Sequence, residues 1–168
     1  MAVKRLNHAV LYVRDVDRSV RFYEEALGFT VGVQFPGAAF LKVPDSHNDH
    51  DLGLFAIGTD AADSPAGHGA VGLYHLAWEV ETLGELQEVA QRLRGMGALV
   101  GASDHSTTKA LYAKDPDGIE FEVSWLVPVD LVDDEVRKGM ANTKPLDLAH
   151  EIERYGADRA GLESVVYN

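Results

Sequence analysis

The sequence predicts an α+β protein made of two tandem βαβββ modules with a helical C-terminal extension. Three observations carry this. "LNHAVLYVRDVDRSVRFYEEALGFTV", starting at Leu6, lies over "LYHLAWEVETLGELQEVAQRLRGMGALV", starting at Leu73, without a gap at an offset of 73 − 6 = 67. Self-similarity at a fixed period marks repeated structural units. In each copy a strand-like opening passes into helical spacing, and "DPDG" at 115–118 reads as a turn between two strands.

The elements follow in chain order. Leu6 pairs with Leu73, His8 with His75, Gly28 with Gly95 and Val33 with Val100. The first strand carries His8, Val10 and Tyr12 on one side, and His75 lies on its repeat-mate. Asp15 or Asp17 can cap the first helix and Gly28 ends it. Strands are expected over about 31–35, 38–43 and 51–57. In the second copy Thr82 and Glu85 form a capping box, Leu86, Val89, Ala90 and Leu93 make the apolar face, and Gly95 suits the stop. Strands over 98–102, 109–114 and 119–126 complete it. In the last strand Ile119, Phe121, Val123 and Trp125 share one side, and Glu120, Glu122 and Ser124 the other. Alternation alone would give those glutamates to solvent.

The modules thus span about 5–58 and 72–127, within a domain of residues 1–127. Residues 128–168 hold two short helix-like segments, "VDLVDDEVRKGM" and "PLDLAHEIERYG", the second with Leu148, Ile152 and Tyr155 on one face. A covering lid, a dimer contact and a frayed tail are all compatible with that extension.

Composition narrows the function classes. A chain of 168 residues with 46% hydrophobic and 25% charged residues has the make-up of a globular protein with a core. A net charge of −12 argues against nucleic acid or an anionic membrane as partner. There is no apolar run of membrane-spanning length, and the charged first twenty residues do not read as a signal peptide, so a cytoplasmic location is expected. With no cysteine, disulfides, thiolate metal sites and a cysteine nucleophile are excluded, so a bound metal must take nitrogen and oxygen ligands.

Paired βαβββ units, a histidine early in each, and "DPDG" followed by Glu122 resemble the vicinal oxygen chelate superfamily. It includes glyoxalase I, bleomycin-resistance proteins, fosfomycin-resistance enzymes and type I extradiol dioxygenases. The resemblance covers residues 5 to 127. It implies two modules curled into an incomplete barrel around a divalent metal, with His8, His75 and Glu122 as ligands. Two imidazoles and one carboxylate leave about three of six coordination positions open and suit Fe(II) or Mn(II). Glu120, one pleat away on the same face, is the competing ligand.

The surrounding residues point to a particular chemistry. "HDLGLF" at 50–55 and "DHSTTKALY" at 104–112 are similar to segments of the extradiol catechol dioxygenases. The resemblance implies that His50, His105 and Tyr112 surround the metal. One of the histidines would relay a proton while Tyr112 orients the substrate. Each also has a plain reading: a solvated loop histidine, a turn cap and a core tyrosine. The implied activity is ring opening of an aromatic diol by O2 beside, rather than between, its hydroxyls, at Fe(II). Glyoxalase I adds a fourth ligand on the last strand of the first module. At the offset of 67 the position matching Glu120 is Gly53, and Asp51 is the one residue able to rescue that reading. A glyoxalase-like isomerase using Ni(II) or Zn(II), a fosfomycin-type thiol transferase using Mn(II) and a drug-binding protein are the alternatives. The resemblance also implies a homodimer. His47 is an alternative to His50, His68 in the connector between modules reads as solvent-exposed, and His150 lies in the C-terminal tail. Phe40, Phe55, Trp78 and Trp125 are open as to the side they face.

Overall fold

The structure is a computed structural model that describes residues 3–66 and 69–162. Its elements are β1 (Ala9–Val13), α1 (Val16–Leu27), β2 (Thr30–Phe35), β3 (Ala38–Lys42), β4 (Leu52–Ala56), β5 (Leu76–Glu79), α2 (Leu83–Gly95), β6 (Leu99–Asp104), β7 (Thr108–Lys114) and β8 (Glu120–Leu126). A 3-10 turn at Val129–Leu131, α3 (Asp134–Gly139), β9 (Lys144–Pro145) and α4 (Leu148–Tyr155) follow. The strand orders are β1-β4-β3-β2 and β5-β8-β7-β6-β9. In each sheet the first strand runs parallel to the module's last strand and the remaining pairs are antiparallel. The α+β class and the paired βαβββ pattern are therefore both present. No helix among the described residues is long and apolar enough to cross a membrane.

The chain divides into two compact units, Met1–Ser64 with Asp115–Gly118, and Pro65–Lys114 with Ile119–Asn168. In the first, Asp15 caps α1 by accepting the Arg18 N–H at 2.9 Å. Asp17 instead accepts from Gln34 Nε2 at 2.6 Å. Gly28 ends the helix at φ 74°, a left-handed value that suits glycine. Val16, Val20, Tyr23 and Ala26 recur at helical spacing and are buried, as are Leu11, Val13, Leu41, Leu52 and Leu54 of the sheet. Burying each large side chain of this kind contributes about 1.5–3 kcal/mol. The Asp115–Gly118 turn is tied in by charge: Asp117 Oδ1 meets Arg14 Nη1 at 3.2 Å and Arg18 Nη2 at 2.6 Å. Tyr23 donates to Asp115 Oδ2 at 3.2 Å. Burial, then the charge of Asp115, pushes the Tyr23 hydroxyl well above its ordinary range.

In the second unit the capping box forms as expected, with Glu85 N–H donating to Thr82 Oγ1 at 3.1 Å and Thr82 N–H to Glu85 Oε2 at 3.0 Å. The helix stop does not fall where the repeat placed it. Gly95 stays helical, Met96 is the C-cap, and Gly97 takes the left-handed conformation at φ 69°. Gly28 therefore corresponds to Gly97, an offset of 97 − 28 = 69. The gap-free offset of 67 holds as far as the helix starts and drifts by two beyond it, because α2 has 13 residues against 12 in α1 and Met96 stands between the helix and its left-handed glycine.

The extension is not purely helical, as its composition suggested. Lys144 and Pro145 pair with Asp104 and Ser103 as a fifth strand. A two-residue edge pairing carries no periodicity by which sequence could announce it. α4 packs against α2, and Trp125, wholly buried, meets Tyr155 at a ring separation of 5.6 Å and donates from Nε1 to Arg159 O at 3.2 Å. The extension is thus built into the second unit.

Candidate active site

Both repeat histidines stand immediately before their strands rather than inside them: His8 precedes β1 at Ala9, and His75 precedes β5 at Leu76. Each is therefore one residue from a parallel strand pair that fixes its backbone.

In the second unit, β5 and β7 flank β8 and set Ala77 and Tyr112 opposite Glu122. Glu122 Oε2 lies 3.2 Å from His75 Nε2, with the glutamate side chain 12% exposed. The carboxylate predicted to turn inward is the one beside the histidine. Glu120, on the same face and opposite Lys114, instead hydrogen-bonds Tyr74, raising the Tyr74 hydroxyl above its ordinary range. The Tyr112 hydroxyl lies 2.8 Å from His105 Nε2. Burial first, then the Glu122 charge, push the Tyr112 phenol up to about 12. It remains a protonated donor at ordinary pH. On the other side of the imidazole, His105 Nδ1 lies 3.1 Å from Thr143 Oγ1. A polar chain runs Thr143–His105–Tyr112, and Glu122, opposite Tyr112 in the strand register, lies beside His75. Thr143 lies in the extension, and neither charge nor periodicity marked it in the sequence.

In the first unit His8 and His50 come together with ring centroids 4.5 Å apart, and His8 Nδ1 lies 2.8 Å from Asn7 Oδ1. His50 packs edge-on against Phe40 at 4.9 Å, and Phe40 against Phe55 at 5.7 Å. His47 and His150 are exposed, and His68, expected from the sequence to face solvent, lies outside the described residues.

Strand register shifts the fourth-ligand position from the one the sequence offset gave. Gly53 stands opposite Val10 on β1 and Phe40 on β3, just as Glu122 stands opposite Ala77 and Tyr112. Gly53 is thus the counterpart of Glu122 itself, not of Glu120. A Cβ at Gly53 would already touch Val10 Cγ2 at 3.4 Å. Asp51 is occupied elsewhere. It accepts from Ser46 Oγ at 2.9 Å, Asn48 Nδ2 at 2.6 Å and Val43 N–H at 3.0 Å, pinning the 43–51 loop. Burial opposes ionisation of Asp51, but these hydrogen bonds and the charge of Lys42 hold its carboxyl below the usual range.

The donors of the second unit suit a divalent ion. Adjacent ligands about 2.1 Å from an octahedral ion lie roughly 3 Å apart, close to the separation of His75 Nε2 and Glu122 Oε2. His75 Nδ1 is buried without a hydrogen-bond partner, an arrangement that costs free energy unless the imidazole is fixed in some other way. Among the described residues no group of three or more His, Asp or Glu side chains is by itself arranged to hold a metal.

Paired βαβββ units with a histidine-carboxylate pair at the last strand of the second unit define the class of domain, and sequence comparison identifies it. Residues 5–123 match the Glyoxalase/Bleomycin resistance protein/Dioxygenase superfamily. The chain belongs to that superfamily. It is 34% identical over 122 residues to "Biphenyl-2,3-diol 1,2-dioxygenase 3" of Rhodococcus globerulus, covering 71% of this chain and 62% of that protein. It is 26% identical over 121 residues to "Glutathione transferase FosA" of Serratia marcescens, covering 72% and 80%. Among solved structures, a glyoxylase/bleomycin resistance protein/dioxygenase domain from Frankia sp. EAN1pec is similar at TM-score 0.61 and 25% identity, over 73% of this chain and 98% of that one. The chain spans less than two thirds of the length of the dioxygenase relative.

Proposed function

We propose that this chain is an extradiol ring-cleaving dioxygenase, acting on a catechol-type aromatic with O2 at an Fe(II) held by His75, Glu122 and His8. The observation that carries the reading is the His105–Tyr112 pair, with Tyr112 opposite Glu122 and Glu122 beside His75. An isomerase has no evident use for a histidine-tyrosine pair next to its carboxylate ligand, whereas ring cleavage needs both a proton relay and a donor to a substrate oxygen. The Gly53 register and the engagement of Asp51 weigh against the fourth ligand of a glyoxalase. His8 enters as the repeat-mate of His75.

Bound Fe(II) would supply Lewis acidity towards a catechol hydroxyl and a redox partner for O2. The protein's part follows from its own groups. Tyr112, protonated at working pH, donates a hydrogen bond to a substrate oxygen. A neutral imidazole, His105 or His50, accepts a proton and returns it.

The test is anaerobic reconstitution with Fe(II), then addition of a catechol and air. Oxygen consumption together with a yellow ring-opened semialdehyde is expected. Turnover of a hemithioacetal by the Ni(II) or Zn(II) protein, or joint consumption of fosfomycin and a thiol by the Mn(II) protein, with no oxygen uptake, would replace this reading. Thermal stabilisation by an aromatic ligand without any turnover would mark a binding protein.

A further inference from the structure

We propose that the C-terminal extension, which lies beyond the family match, is part of the working site, and that Thr143 is a positioning residue that fixes the tautomer of His105. Its catalytic meaning rests on the dioxygenase reading; its structural content does not.

The turn between β6 and β7 carries His105 and is gripped by the extension. Ser106 sits in the left-handed region at φ 71°, a conformation that a non-glycine residue keeps only when its surroundings hold it there. Its Oγ donates to Val136 O at 2.5 Å and its N–H to Asp104 Oδ1 at 2.7 Å. Gly139 is so close that a Cβ there would run into Ser106 Oγ. Lys144 pairs with Asp104, the residue before His105. Asp104 also accepts from the buried Lys109 Nζ at 2.6 Å, which in turn lies 3.0 Å from Glu151 of α4. The histidine therefore stands on a turn anchored by α3, β9 and α4.

His105 Nε2 lies 2.8 Å from the Tyr112 hydroxyl and Nδ1 3.1 Å from the Thr143 hydroxyl. A neutral imidazole carries one N–H, so the two hydroxyls take opposite roles, one accepting from the ring and the other donating to it. Thr143 therefore biases which nitrogen keeps the proton and holds the ring plane towards Tyr112.

The test compares Thr143→Val, Thr143→Ser and wild type, with His105→Gln used to assign the signal. Long-range 1H–15N imidazole spectra of the metal-free protein read the tautomer directly. Wild type and Thr143→Ser should show the same single His105 tautomer, and Thr143→Val a mixture of the two. In the Fe(II) enzyme kcat for catechol cleavage should fall about two- to tenfold in Thr143→Val, the effect of one lost neutral hydrogen bond, with KM little changed and recovery in Thr143→Ser. Thr143 is exposed, so an unchanged melting curve is expected in both variants. A wild-type His105 that is already a mixture of tautomers, or a Thr143→Val spectrum identical to wild type, overturns the inference. A wild-type protein that takes up no oxygen overturns the dioxygenase reading instead, and the spectra still decide the role of Thr143.

Discussion

Glu120 and Glu122 differ by one pleat and by the group that stands over each. Glu120 has the Tyr74 hydroxyl, whereas Glu122 has an imidazole at 3.2 Å. Mn(II) at a hundred times its dissociation constant should stabilise the wild-type protein by about 2.7 kcal/mol, read as a rise in melting temperature. Glu122→Ala should erase that rise and Glu120→Ala should keep most of it. If the roles were reversed, Glu120 would be the ligand and the proposed set would be wrong. Asp51 makes a prediction of another kind. Its folded pKa is depressed by its three hydrogen bonds and by Lys42, against the opposing effect of burial. The stability it contributes is therefore fully present above its unfolded value of about 3.9 and is lost as pH falls through the lower folded value. Asp51→Asn should flatten the acid limb of a melting-temperature profile and leave less pH dependence below about pH 4. At this scale the sequence was legible where a side chain had one dominant neighbour. The resemblance pointed to Glu122, and the structure sets that carboxylate 3.2 Å from His75 Nε2. The partnership of His105 with Thr143 was not legible, because it joins residues 38 apart through an exposed hydroxyl.

The elements were readable from local rules, and where reading failed the cause was again local. Capping side chains at Asp15 and Thr82 placed both helix starts. The stop at Gly97 was misread because Gly95 and Gly97 are equally able to end a helix, and only packing decides between them. β7 adds something that alternation hides. Lys109 faces the helix side of the sheet at 1% exposure, between Asp104 and Glu151. A lysine there is a buried ion-pair centre, and removing one member of such a group leaves uncompensated charge. Lys109→Met should cost about 3–5 kcal/mol in denaturant unfolding. Glu151→Gln should cost less, since Asp104 still pairs with the ammonium. Equal losses in the two variants would mean that Asp104 contributes little.

For the whole molecule, the repeat offset, the absence of cysteine and the turn at 115–118 were sufficient to foresee two like sheets. What they left open was the extension. Its contribution depends on long-range pairs, such as Trp125 with Tyr155, that no window of sequence contains. A chain ending at Val127 should therefore lose its cooperative melt, because Lys109 would be stripped of Glu151 and Trp125 of Tyr155. Retention of a sharp transition would show the extension to be dispensable. β9 carries one more consequence, for the fate of the chain when it is stressed. Along the free side of β6 it sets Pro145, which has no N–H to offer, and the charge of Lys144, and both discourage another chain from adding a strand. β2 ends the first sheet with no such guard, and all six of its residues, Val31, Val33 and Phe35 among them, are exposed. Misassembly of a partly unfolded population should then begin by strand addition at Thr30–Phe35, and a single charge placed there, Val33→Lys, should slow fibril growth while a matching change on β6 does nothing.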